Sequence, residues 1–130
     1  MQAIEVIDPG LSTTIQDFGR IGFRDVGVPA SGPLDRVSFR LANAVVGNHS
    51  STTALEILMS GPTLKVLAES IRVALVGCNA GIEIGHDNLR RIPSGRSLRL
   101  TRGEIFRVTP FDDLTDKHQW TFAADLITRF

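Results

Sequence analysis

The chain is predicted to be mainly β, a barrel or sandwich that carries one helix at about residues 33–46. Two observations lead there. Short runs rich in β-branched and apolar residues recur between turn residues at roughly 8–12-residue spacing, a rhythm that favours closed or stacked sheets over β/α units. Only one segment has helix chemistry at both ends: Pro33 suits a first turn, Asp35 lies near the positive end of the helix dipole, and Gly47 suits a C-terminal cap.

In chain order, Ala3–Ile7 alternates and reads as a strand that Asp8-Pro9-Gly10 stops. Ser12–Ile15 is a second short extended piece. Gln16–Ser31 reads as an ordered loop because its glycines and Pro29 break any long element. On the helix, Leu34, Val37, Leu41 and Val45 recur at helical spacing and are the expected buried stripe, with Arg36, Arg40 and Asn43 opposite. Arg36 and Arg40 are like charges four residues apart, which costs an isolated helix roughly 0.2–0.5 kcal/mol. They read either as a solvated face or as cations with an external anionic partner. Strands are then expected at Thr53–Met59, Thr63–Leu67, Ile71–Val76, Gly81–Ile84, Ser97–Leu100 and Glu104–Val108, with turns at Ser60-Gly61-Pro62, Gly77-Cys78-Asn79, His86-Asp87-Asn88 and Thr101-Arg102-Gly103.

At 130 residues the chain is one domain's worth, with 42% hydrophobic and 22% charged residues, the make-up of a globular protein. Fourteen basic residues balance fourteen acidic ones, so nothing points to nucleic acid or an anionic membrane. All the basic residues but Lys65 and Lys117 are arginine, the side chain suited to paired hydrogen bonds with carboxylates. The single cysteine, Cys78, excludes an intrachain disulfide and suits a reducing compartment. No signal peptide and no apolar run of about 20 residues is evident, so a cytoplasmic location is expected.

Residues 10–62 hold more than half of the glycines, set among compact polar groups: Gln16-Asp17-Phe18-Gly19-Arg20, Gly32-Pro33-Leu34-Asp35-Arg36, Ala42-Asn43, Gly47-Asn48 and Leu55-Glu56. That pattern suggests constrained turns around a site. Gln16 can read an amide, Asp17 can orient Arg20 or accept a proton, and Arg20 can hold a carboxylate or phosphate. The plainer reading is an Asp17–Arg20 pair that fixes the loop. Asp35 is explained by its helix start alone. Asn43 and Asn48 can donate to a carbonyl or carboxylate, and helix-end geometry explains Asn48 equally well. Glu56, in an apolar strand, needs a partner if buried, and Arg20 is the candidate. His49, His86 and His118 have no metal-ligand spacing, Cys78 reads as a buried core thiol, and no phosphate-binding glycine motif occurs.

The order Gly-Leu-x-Thr-Thr-Ile-Gln-Asp-Phe-Gly-Arg, Gly-Val-Pro-x-x-Gly-x-x-Asp, Ala-Asn-x-x-Val-Gly-Asn, Leu-Glu and Gly-Pro-Thr-Leu resembles the biotin-dependent carboxyltransferase A/B-domain family, which includes allophanate hydrolase subunit 2 and a 5-oxoprolinase subunit. The resemblance runs from about Ile4 to Val108. It implies a cyclophilin-like β-barrel, with residues 1–108 as the N-terminal part of that domain. Residues 109–130 depart from the family and read as a divergent tail, in which Asp112 or Thr115 can cap a short helix carrying Trp120, Ala123, Leu126 and Ile127. The chain is thus expected to be truncated relative to the family. The implied function is a subunit of an ATP-dependent 5-oxoprolinase, or a carboxyltransferase that takes its carboxyl group from carboxybiotin, acting on a small amide beside companion subunits. Nucleotide would then be bound through the complex. Gln16, Asp17, Arg20, Asp35 and Glu56 are the expected catalytic residues, with Arg20, Asn43 and Asn48 binding substrate and no metal. The rival is a non-catalytic module, or a degenerate fragment, that binds the companion subunit, like the family's antagonists of a histidine-kinase inhibitor. Open sheet edges add an expectation that the chain assembles with that companion or with itself.

Overall fold

A computed structural model describes residues 2–58, 60–77 and 80–110. Among them are nine strands and one α-helix: β1 (Ile4–Asp8), β2 (Ser12–Gln16), α1 (Arg36–Val46), β3 (Ala54–Leu58), β4 (Thr63–Val66), β5 (Ser70–Ala74), β6 (Ala80–Ile84), β7 (Arg90–Pro93), β8 (Ser97–Thr101) and β9 (Ile105–Pro110). One turn of 3₁₀ helix, Arg24–Val26, interrupts the long loop. The mainly β architecture with a single helix is as expected. The tail helix and Cys78 lie outside the described residues.

Every pairing is antiparallel. Five strands form one sheet in the order β1-β4-β9-β6-β7, while β2-β3 and β5-β8 form two ribbons. Strand alternation drives all three towards one core, because each strand turns every second side chain inward. Ile57 of β3, Leu64 and Val66 of β4, Ile71 and Val73 of β5, Ile82 of β6, Leu100 of β8 and Phe106 of β9 pack together there. One strand, β7, was not anticipated. Its sequence Arg-Arg-Ile-Pro lacks apolar alternation. It pairs with β6 alone, as the edge strand at which a proline is tolerated.

The helix lies against the ribbons, not the five-stranded sheet. Phe39, Ala42 and Val46 pack on Ala54 of β3 and Ala74 of β5, whose small side chains let the helix approach closely. This corrects the expected buried stripe. Leu34, Val37 and Leu41 are 66%, 68% and 50% exposed, and only Val45 of that set packs on the core. The buried face is Ser38, Phe39, Ala42, Asn43 and Val46, so the helix is turned roughly a third of a turn from the expected phase. Burying the Phe39 ring sets that phase, and it takes Asn43 into the interior.

Candidate functional site

Two loops build the site, and their contact explains their glycines. The first follows β2 and runs through Asp17, Phe18, Gly19 and Arg20; the second, Ala30–Gly32, leads into α1. Gly19 has φ +85°, and a Cβ there would sit 2.5 Å from the Ala30 carbonyl oxygen and 2.7 Å from that of Ser31. Gly32, at φ +90°, faces back: its Cβ would lie 3.0 Å from the Phe18 carbonyl oxygen. Backbone thus packs on backbone, which only glycine permits. The Arg20 N–H donates to the Ala30 carbonyl and ties the loops together. Between them Ser31 has φ 55°, left-handed for a residue with a side chain. Such conformations cost of order 1–3 kcal/mol and cluster at functional sites.

The loops and the end of β2 border a cleft of about 440 Å³ lined by Ile15, Gln16, Asp17, Gly19, Arg20, Ser31, Gly32 and Thr53. Of the seven candidate residues, Gln16, Asp17 and Arg20 line it. Gln16 donates one amide N–H to the Thr14 hydroxyl at 3.0 Å, which leaves its carbonyl oxygen and second N–H available. Asp17 accepts the Gly19 N–H at 2.8 Å through Oδ1, an Asx turn that shapes the loop. Arg20 is exposed, and its guanidinium has no carboxylate partner among the described residues.

Both expected pairings of Arg20 are therefore corrected. The Asp17 carboxylate serves the Gly19 N–H instead. Glu56, 4% exposed, accepts the Leu34 N–H at 2.7 Å. That bond meets the need of a buried carboxylate for a donor and pins the start of the helix to β3.

The remaining candidates sit behind the cleft in the helix that carries its second loop. Asp35 is the N-cap, accepting from the Val37 and Ser38 N–H groups at 3.0 Å each and from the Ser38 hydroxyl at 2.6 Å. The Ser38 hydroxyl, then its N–H, hold the Asp35 carboxyl below its ordinary 3.8, with Val37 helping and burial opposing. Asn43 is fully buried and donates from Nδ2 to the carbonyls of Phe39, at 3.2 Å, and Thr52, at 3.0 Å. The Asn48 N–H donates to the Asn43 carbonyl at 2.8 Å beside the Gly47–Ala44 bond, a Schellman end to the helix. Asn43 Oδ1 and Asn48 Nδ2 are buried without a partner, an acceptor and a donor left unspent.

One feature was not anticipated. The guanidinium carbons of Arg36 and Arg40 lie 5.2 and 4.9 Å from the Phe18 ring centroid, and Phe18 in turn leans on Phe39 at 6.2 Å. Each cation–π contact contributes about 0.5–1 kcal/mol at an exposed site, enough to offset the repulsion between the two charges. Arg36 Nη2 also donates to the Ser31 carbonyl, a wall of the cleft, at 3.3 Å. The sequence held a signal for this, since an aromatic inside the Gln-Asp-x-Gly-Arg loop precedes two arginines at helical spacing. The loop's distance from the helix was not readable.

Comparison with known proteins agrees with this fold. A family model described as the carboxyltransferase domain, subdomain A and B, matches residues 26–114. The chain is 40% identical over 103 residues to a urea amidolyase of Lachancea kluyveri, covering 78% of the chain and 5% of that protein. It is 35% identical over 103 residues to a 5-oxoprolinase subunit of Escherichia coli K12, covering 75% of the chain and 32% of that protein. The crystal structure of the K. lactis urea amidolyase superimposes with a TM-score of 0.76 at 40% identity, covering 85% of the chain and 6% of that structure. The chain thus spans a third or less of each of these relatives.

Proposed function

The chain belongs to the family of carboxyltransferase domains of subdomain A and B, and from that premise we propose that it is a subunit module whose Gln16–Arg20 cleft holds a small amide-like substrate. The observation that carries this reading is the meeting of the two glycine loops. They spend rare backbone conformations to present Gln16, Asp17 and Arg20 on one cleft. The kinship to a 5-oxoprolinase subunit and to urea amidolyase supports a substrate with a planar amide, namely 5-oxoproline or urea.

In this reading the free N–H of Gln16 and the guanidinium of Arg20 donate to the amide carbonyl. Fixed donors aimed at developing negative charge are a large source of catalysis. The outer oxygen of Asp17 takes a proton from the amide nitrogen or an attacking group. Asp35, Asn43, Asn48 and Glu56 act as positioning residues that hold the second loop and the helix. If the donor is carboxybiotin, the group supplies an activated carboxyl, and its planar ureido ring suits the same donors, Gln16 and Arg20. ATP does not fit: a triphosphate needs several cations or a run of N–H donors, and among the described residues Arg20 is the one cation lining the cleft. ATP in this reading is held by a companion subunit, in a cytoplasmic complex. No helix among the described residues is long and apolar enough to cross a membrane.

A second reading is favoured by the exposed flank Leu34, Val37 and Leu41. An apolar stripe at helical spacing suits contact with a companion subunit, so the chain would serve as a binding module without turnover. Co-purification with the companion subunits, followed by 5-oxoproline-dependent ATP hydrolysis, separates the two. Turnover that requires the chain and is lost in Arg20→Ala supports the catalytic reading. Binding without turnover refutes it in favour of the module, and absence of both refutes each.

A further inference from the structure

Building on that cleft reading, we propose that Arg20 of the cleft, with Arg36 and Arg40 stacked on the Phe18 ring of the same loop, form a receptor for the substrate's carboxylate and select an amide that carries one over a neutral amide. Arg20 lines the cleft, and Arg36 is tied to its Ser31 wall. Arg40 joins them through the Phe18 ring, its guanidinium carbon 4.9 Å from the centroid.

The nearby carboxylates each hold a backbone N–H, and none forms an ion pair with these cations. Asp17 serves the Gly19 N–H, Asp35 caps the helix, and Glu56 serves the Leu34 N–H. The Arg107–Glu83 ion pair lies away from them, on the five-stranded sheet. Arg36 and Arg40 are thus drawn to one ring, and neither they nor Arg20 has an ion-pair partner among the described residues. Stacking uses the face of a guanidinium and leaves its edge, with the N–H donors, open in the plane. Arg36 spends one such donor on Ser31, and Arg40 spends none on the described protein. Ring contact also restricts both side chains in advance, so less freedom is lost when an anion arrives. Paired edge donors match the two coplanar oxygens of a carboxylate.

The test measures binding of the 130-residue chain to 5-oxoproline, and to 5-oxoprolinamide as its neutral counterpart, by titration calorimetry. Wild type, Arg36→Gln and Arg40→Gln are compared, with far-UV circular dichroism confirming that the variants are folded. Inorganic phosphate serves as a competitor. The acid is expected to bind roughly tenfold or more tightly than the neutral amide, as one or two hydrogen bonds to a charged group allow. Each variant is expected to lose about tenfold for the acid and to shrink its preference over the amide, and salt is expected to weaken only the acid. Equal affinity of wild type for both ligands, or a preference unchanged in both variants, overturns the proposal and leaves the cleft reading standing. Displacement of the acid by phosphate at lower concentration overturns the carboxylate assignment in favour of a phosphate subsite. If neither compound binds, the cleft reading itself fails and this inference fails with it.

Discussion

Removing the Asp35 side chain tests how the helix that carries the second loop is held. Asp35→Ala deletes the acceptor of two backbone N–H groups and of the Ser38 hydroxyl. Loss of an N-cap costs about 0.5–2 kcal/mol, typically near 1. Ser38 is only 6% exposed, so water cannot easily replace the lost acceptor, and its stranded hydroxyl adds on the order of 1 kcal/mol. The total is about 2 kcal/mol, which lowers a urea midpoint by about 1 M at the usual slope for small proteins. Asp35→Asn keeps an oxygen for both N–H groups and forfeits mainly the charge–dipole part, about 0.3–1 kcal/mol.

The pH dependence separates cap from charge. The folded Asp35 carboxyl titrates below its ordinary 3.8, chiefly through the Ser38 hydroxyl. Its charge therefore stabilises fully above the unfolded value, and that contribution is lost as pH falls through the lower folded value. The gap between wild type and Asp35→Asn should be open at about pH 7 and should narrow below about pH 4 as the wild-type carboxyl protonates. Urea unfolding followed by circular dichroism at both pH values reads this directly. An Asp35→Ala midpoint equal to wild type, or a wild-type–Asn gap as wide at about pH 3 as at neutrality, would refute the reasoning.

Two further outcomes follow from packing. Phe39→Ala should cost about 3–5 kcal/mol, because the ring is wholly buried against Ala54 and Ala74, whereas Val37→Ser should change the stability of the isolated chain by less than about 0.5 kcal/mol; similar losses in thermal unfolding would return the helix to the phase its leucines suggested. Glu56→Ala should cost about 1–3 kcal/mol by stranding the Leu34 N–H, and Glu56→Gln distinctly less, because an oxygen acceptor remains. Hydrogen exchange at the Leu34 amide checks the bond, and protection unchanged in Glu56→Ala would exclude it.

The sequence by itself determined what is settled within a few residues of chain. The strands other than β7, the turns at 60–62, 86–88 and 101–103, Asp35 and Gly47 at the two ends of the helix, and the glycine loops follow from local backbone preference and period-two patterning and appear where expected. The cleft was legible to the extent that Gln16, Asp17 and Arg20 share one loop. Tertiary structure alone decided which face of the helix is buried, because Phe39 found its place against alanines from two separate strands, and no spacing within the helix encodes that surface. It also decided the partners of the charges. Glu56 meets a backbone N–H from 22 residues away, a donor common to almost every residue and so invisible as a motif. Arg36 and Arg40 settle on a phenylalanine from the other loop, and among the described residues their charges have a ring and no carboxylate as partner.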